Sequence, residues 1–325
     1  MSRYEVRKSS FGSLDAYELT DSVAGIQAVV VPAVGSNMIA LRVGSNTRIL
    51  YEPPTVNDLL ETPTAFGFPV LMPPNRIAFA RFEVDGRTYV FPKNHGDHHI
   101  HGLVHNVEWK VSKQLASDSE GAVLETTVRS LDHKAIREVY PQDFTLTMQY
   151  VIKDGEIIVS TSCENSSDDR LPFGIGFHPY FSTPMTPAST KESCFVRLRA
   201  QERWVLTNCL PTEEIVEPVG GHDLREFTPV SSLKLDDLYG RVTDRAAVVE
   251  DRGSGLRLTI QVDEAYPFWV VWTGKTPDAP FICLEPYTCV TNAFNLKMCP
   301  CCTGAKFIEK GDIFRGSIRL TLGTV

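Results

Sequence analysis

"MQYVIKDGEIIVSTS", residues 148–162, sets an Asp-Gly pair between two runs of alternating apolar and polar side chains. Asp154-Gly155 suits a type I′ turn, because both central residues of that turn need positive φ and its twist matches that of paired strands. "ARFEVDGRTYVF", residues 80–91, repeats the pattern around Asp85-Gly86. "VVEDRGSGLRLTI", residues 248–260, reads as a third hairpin with a longer loop. Further strand-like runs are "IQAVVVP", "MIALRV", "CFVRLRA", "LRLTIQV", "FWVVW" and "SIRLTLG". Helical periodicity is scarce, and only "VNDLLE" could make a turn or two. Evenly spaced strands with turn signals between them indicate an all-β sandwich or barrel, and the lack of alternating amphipathic helices argues against a doubly wound α/β sheet. We find no internal repeat and no linker. The expectation is one large antiparallel β domain over residues 1–325, with "STPMTPAST" (182–190) as a surface loop.

Composition narrows the function. The chain has 325 residues, a formal charge of −8 and 42% hydrophobic residues, enough for a packed core. A mildly acidic chain without a basic stripe is a poor partner for nucleic acid. The first residues hold no apolar signal-peptide core, and no apolar run reaches the roughly 20 residues needed to cross a bilayer. These features lead us to expect a soluble cytoplasmic protein with no membrane partner. Of eight cysteines, three cluster as "CPCC" at Cys299, Cys301 and Cys302. They lack the paired C-x-x-C spacing of a closed zinc site, so free thiols in a reducing compartment are expected.

Five places fit a plain β core badly. "GIGFHPYF" (174–181) puts His178 among glycines and aromatics. "PPNRIAFARF" carries Asn75 and Arg76 after two prolines that extend the chain; Arg76 is either a surface charge or a fork of donors for ligand oxygens. "NHGDHHIHGLVHNVEW" holds His95, His98, His99, His101 and His105. On an extended strand His99 and His101 would share a face, and with Asp97 or His105 they could ligate zinc or iron. The spacing matches no recognised zinc motif, so a hydrogen-bonding role is preferred. His101-Gly102 is of interest because glycine admits a close ligand or backbone. "LDDLYG" holds Asp236 and Asp237, a pair often found in a solvated turn. In "FICLEPYTCVTNAFN", Glu285 ends an apolar strand, where a carboxylate without partners costs desolvation.

In order and rough spacing, "NRI" with its "DG" hairpin, "HIHG", "GFHPYF", "LDD.Y" and "LEPYT...NAFN" resemble the aldose 1-epimerase (galactose mutarotase) family over about residues 20–320. Leu103 stands where many members carry a second glycine. The resemblance implies a large β-sandwich, a small aldose substrate, and chemistry without metal or organic cofactor. Exchanging sugar anomers requires one group to take the anomeric hydroxyl proton and another to protonate the ring oxygen as C1–O5 breaks. Glu and His, with ordinary pKa values of about 4.3 and about 6.5, can be tuned for this. By resemblance Glu285 is the base and His178 the acid. Arg76 and His101 bond sugar oxygens, Asp236 anchors hydroxyls, and Asn75 orients the Arg76 arm. We expect the glycines to let sugar lie close to the backbone, Phe177, Tyr180 and Phe181 to hold the imidazole, and a nearby carboxylate to favour its charged form. Alternatives are a hexose-6-phosphate epimerase, which needs basic residues such as Arg42, Arg48, Arg81 or Arg87 at the phosphate, a non-catalytic sugar-binding protein, and a metal-dependent β-barrel enzyme.

Overall fold

Each of the three expected hairpins forms in the computed structural model, which describes residues 2–325. Asp85-Gly86 and Asp154-Gly155 all have positive φ, from 50° to 80°. They join Arg81–Val84 to Arg87–Val90, and Phe144–Lys153 to Glu156–Asn165. Asp236–Asp251 and Leu256–Val262 make the third hairpin. Along Phe144–Lys153 every second residue is buried, which is how a strand presents one face to a core. Strands account for 52% of the chain and helices for 10%, so the fold is all-β. The one helix the sequence suggested, Val56–Glu61, forms behind a Thr55 cap whose Oγ1 accepts from the Asp58 amide at 3.2 Å.

A large antiparallel sheet organises the molecule. Its strands run side by side as Lys110–Ser117, Gly121–Arg129, Phe144–Lys153, Glu156–Asn165, Ile313–Thr324, Leu256–Val262, Asp236–Asp251, Phe268–Trp272, Phe281–Tyr287, Gly176–Phe177 and Val70–Leu71. A five-stranded meander, Tyr4–Phe11 through Thr47–Arg48, forms the second layer. Ser36 Oγ meets Thr126 Oγ1 at 2.6 Å, and Gln114 Nε2 donates to the Val6 carbonyl at 3.0 Å, so the two layers are stitched by polar contacts as well as packing. Leu19, Val30 and Leu41 from the meander join Leu124, Met148 and Val159 in one core. Burying each such side chain is worth about 1.5–3 kcal/mol.

The central strands are covered on both faces. Trp269, Val271, Ile282 and Leu284 point into the main core. Phe268, Val270 and Tyr287 point the other way, into a second cluster with Leu71, Trp204, Leu238 and Cys289. This explains why "FWVVW" and "PFICL" read as unbroken apolar runs rather than alternating ones. Two expectations need correction. Residues 182–190 are not wholly at the surface: Thr183 and Met185 are buried, because Asp251 takes hydrogen bonds from the Met185 amide and Ser189 and draws the loop inward. Cys299 and Cys301 are not free thiols but form a disulfide, since one proline between them holds their Cα atoms 5.3 Å apart. Among the described residues, no helix is long and apolar enough to cross a membrane.

Candidate active site

Strand register brings the site together. Glu285 lies opposite Val270, and Asp236 lies opposite Trp272, on neighbouring strands. Side chains directly opposite one another share a face, so Glu285, Val270, Trp272 and Asp236 project to the same side. Asp237, one residue on, projects to the other side. There it is held by Arg203 at 3.4 Å and by His222 Nδ1 at 2.6 Å. The pair "DD" is therefore one residue facing the site and one tied into the structure behind it.

His178 faces Glu285. The Nε2 of the imidazole lies 3.3 Å from Oε1 of the carboxyl, and both groups are buried. The His178 amide donates to the Pro69 carbonyl at 3.1 Å, and Tyr180 stacks on the ring at 4.7 Å with planes 9° apart. Trp272 meets the same ring edge-on at 5.7 Å. Of the three expected supports only Tyr180 touches the imidazole; Phe177 packs on Phe68 and Tyr266, within the main core.

Arg76 and His101 complete the wall. Asn75 has φ 55°, and its Oδ1 accepts from both the Arg76 amide (2.8 Å) and Arg76 Nη1 (3.1 Å), which fixes the guanidinium. Arg76 Nη2 is 4.0 Å from Asp236 Oδ2. His101 packs edge-on against His178 at 5.2 Å, and its Nδ1 is buried without a hydrogen-bond partner among the described residues. All six residues singled out from the sequence thus line one region.

The histidine segment departs from expectation. His99 and His101 do not share a strand face, because the strand covers only His99–Ile100 and His101 has φ 69°. His99 Nδ1 meets the Pro92 carbonyl at 2.7 Å, and His105 Nδ1 meets that of His101 at 3.1 Å. These are structural contacts. Gly102 does admit a close neighbour, but the neighbour is backbone: a Cβ there would lie 1.9 Å from the Met72 carbonyl oxygen.

The glycines before His178 also serve another purpose than expected. A Cβ on Gly176 would fall 2.2 Å from the Tyr287 ring, and one on Gly174 would fall 2.7 Å from Cys289 Sγ. They make room for side chains of the adjoining segment, not for sugar. Tyr287 is the residue that sequence reasoning missed. It is fully buried, and its hydroxyl donates to Glu285 Oε2. A signal existed: Glu285 and Tyr287 are two residues apart on a strand and must share a face.

Burial sets the charge of the pair. It pushes the Glu285 carboxyl well above its ordinary range; the Tyr287 hydrogen bond and the Arg76 cation oppose this without cancelling it. Burial also pushes His178 down to about 3, and Arg76 adds to the shift. Burial thus works against the expected charged imidazole and favours the proton on Glu285 over His178.

The sequence profile of the aldose 1-epimerase family matches residues 15–320. The chain belongs to the aldose 1-epimerase family. Among proteins similar to it is the Escherichia coli K12 protein YihR, an uncharacterized protein, 26% identical over 250 residues that cover 72% of this chain and 74% of YihR. A maltose epimerase from Levilactobacillus brevis is 30% identical over 183 residues, covering 54% of this chain and 52% of that enzyme. A galactose mutarotase-like protein from Clostridium acetobutylicum superposes with a TM-score of 0.93 at 24% identity, over 99% of both chains. The galactose 1-epimerase of Lactobacillus acidophilus superposes at 0.79 with 16% identity, over 100% of this chain and 99% of that one. The family places the chain among sugar epimerases of the isomerase class, and the superpositions establish the mutarotase-like β-sandwich.

Proposed function

We propose that this member of the family interconverts the α and β anomers of a free aldose, with Glu285 and His178 exchanging protons with the sugar. One observation carries the reading: a carboxyl and an imidazole face each other at 3.3 Å in a buried region, beside Arg76 and an unpartnered His101 nitrogen. Glu285 takes the proton of the anomeric hydroxyl while His178 gives one to the ring oxygen, and C1–O5 breaks. Rotation about C1–C2 turns the other carbonyl face inward. The same two groups then close the ring with roles reversed.

Proton accounting supports this arrangement. Burial favours placing the one proton that the pair shares on Glu285 rather than on His178. The reactive form, Glu285 ionised and His178 charged, holds the same number. One proton moves between neighbours and none is drawn from solvent. Arg76 and donor hydroxyls of the sugar favour the ionised carboxylate. Arg76 and His101 bind sugar oxygens, Asp236 takes hydroxyls farther along the ring, and Asn75 holds Arg76 for the task. We take residues 1–325 as one domain, with side chains from Tyr4 to Leu320 in a shared core.

An unphosphorylated aldose fits best. Arg42 is committed to Glu52 and Arg87 faces Asp169. Arg48 lines a separate hollow with Tyr51 and Met185, and Arg81 is exposed. A metal enzyme built on residues 95–105 is disfavoured because His98, His99 and His105 each commit a ring nitrogen to a different backbone group. His178, Cys283 and Glu285 do converge, and a chelator separates a metal held there from proton exchange without metal. NMR exchange between anomers of galactose, glucose, maltose and the hexose 6-phosphates tests the proposal. Acceleration of a free aldose proportional to enzyme, undiminished by a chelator, is expected. No acceleration of any of them overturns it.

A further inference from the structure

Outside the catalytic region, three sulfur atoms crowd one exposed turn. Cys299 and Cys301 are joined, and Cys302 keeps a free, exposed thiol. Its Sγ lies 3.3 Å from that of Cys299 and 3.9 Å from that of Cys301. Among the described residues the remaining free cysteines differ: Cys163, Cys194, Cys283 and Cys289 are buried and Cys209 is half-buried. A cross-link that encloses a single proline removes little entropy from the unfolded chain, so it is no structural staple. An exposed disulfide beside a free thiol is the arrangement in which sulfur exchange proceeds. Cys301 and Cys302 also border a cleft of about 710 Å³ with Phe268, Trp269 and Lys306, which gives a small molecule access.

We propose that Cys299, Cys301 and Cys302 form a thiol–disulfide exchange site that reacts with small soluble disulfides of the glutathione class. In the fully reduced chain the Cys302 thiolate attacks one sulfur of the small disulfide. A mixed disulfide forms on Cys302, and the first small thiol leaves with a proton. Cys299 then attacks Cys302 Sγ, a Cys299–Cys302 bond forms, and the second small thiol leaves. Finally Cys301 attacks Cys299 Sγ, which restores the Cys299–Cys301 bond and frees Cys302. Two protein thiols are oxidised and one small disulfide is reduced to two thiols, so electrons and protons balance. The 3.3 Å and 3.9 Å separations allow one disulfide to migrate among three sulfurs without unfolding the turn.

The test uses the reduced full-length chain, oxidised glutathione, acid quenching, and intact-mass and peptide mapping. The parent should show a transient adduct of one glutathione on Cys302, followed by an internal disulfide in the turn. With the Cys299–Cys301 bond intact, the parent should take up one glutathione on Cys302 and Cys302→Ser none, because Cys302 is then the exposed free thiol of the turn. Cys302 is exposed, so this variant should melt with the parent by circular dichroism. Cys301→Ser should still acquire the adduct and resolve it to Cys299–Cys302. Either of two results overturns the proposal: Cys302→Ser with the Cys299–Cys301 bond intact taking up glutathione as the parent does, or a parent turn that keeps three free thiols in the presence of oxidised glutathione.

Discussion

Glu250 and Glu285 are both buried glutamates on strands of the same sheet, and their surroundings are opposite. Glu250 sits near the edge of solvent, where Arg252 and Arg257 reach it at 2.9 Å and 2.5 Å while remaining about two-fifths exposed. Burial raises its carboxyl, the two arginines overcome this, and it is held below its ordinary value. Glu285 has a tyrosine hydroxyl and a neutral imidazole, and burial leaves it well above. The first carboxylate is satisfied and fixed in charge. The second is kept short of positive charge, so a proton can come and go. A buried acid that stays poorly compensated is a functional signature rather than a stability device.

The largest contrast should appear in turnover. Glu285→Gln keeps the shape and loses the base, and kcat for anomer exchange should fall roughly 10²-fold or more; His178→Asn should do the same by losing the acid. Glu250→Gln should leave kcat near the parental value, since it touches nothing at the site. NMR exchange on the three folded variants decides this. Parental turnover in Glu285→Gln would end the proposed mechanism.

Stability should move the other way. Because the folded Glu285 pKa is raised, its contribution is fully present below the unfolded value of about 4.5 and is lost as pH rises toward the raised folded one. Glu285→Gln removes that loss, so its melting temperature should exceed the parent's by a margin that widens as pH rises from about 4.5. Glu250 has a lowered folded pKa, so its contribution is present above about 4.5 and is lost as pH falls through the lower folded value. Glu250→Gln should therefore destabilise above pH 4.5, by about 1–3 kcal/mol for a charge-assisted contact left unmade. Thermal melts from pH 4 to 8 would break the comparison if both variants shifted in the same direction.

Arg76 sharpens the contrast from the substrate side. It is the cation nearest the pair, and it is steered by Asn75 toward the site instead of being locked to a carboxylate as Arg257 is to Glu250. Arg76→Ala should lower kcat/KM ~10-fold, about what one lost charge-assisted hydrogen bond costs. Unchanged kinetics would remove Arg76 from the site.

Much of this was legible in the chain, for local reasons. Asp154-Gly155 and its flanking alternation report a hairpin because turn and strand are specified within about ten residues. Arg76 and Glu285 stand out as charges beside apolar neighbours, whereas Asp236 sits in a pair typical of a solvated turn and is singled out by the family resemblance. What escaped depended on strands far apart in sequence. The glycines at 174 and 176 were read as access for sugar because nothing local says that Tyr287 and Cys289 would fill the space. An extended strand through the segment would put His101 on one face with His99, yet the strand stops at Ile100 and the backbone turns to φ 69°. The charge of His178 was misjudged for an energetic reason: proximity to a carboxylate was weighed, while burial, the larger effect here, can be read only from the folded molecule.

Tyr287 gives the smallest effect and the sharpest discrimination. Its hydroxyl is the one hydrogen-bond donor to Glu285 Oε2 among the described residues, and it opposes the upward push of burial on the carboxyl. Removing the oxygen by Tyr287→Phe keeps the ring that Gly176 accommodates, so packing is preserved. The Glu285 pKa should then rise further, and the ionised base should become scarcer at a given pH. Turnover should fall, by ~10-fold or less near neutrality, because one hydrogen bond to a charged group is worth about 1.5–3 kcal/mol and part is recovered as the carboxyl protonates. The acid limb of the pH–kcat/KM profile should move to higher pH, with partial recovery of rate in alkaline buffer. A tyrosine that merely filled space would lower the rate equally at every pH. A profile that keeps its parental midpoint would therefore assign Tyr287 to packing, and would leave the raised Glu285 carboxyl set by burial and Asp236 against Arg76.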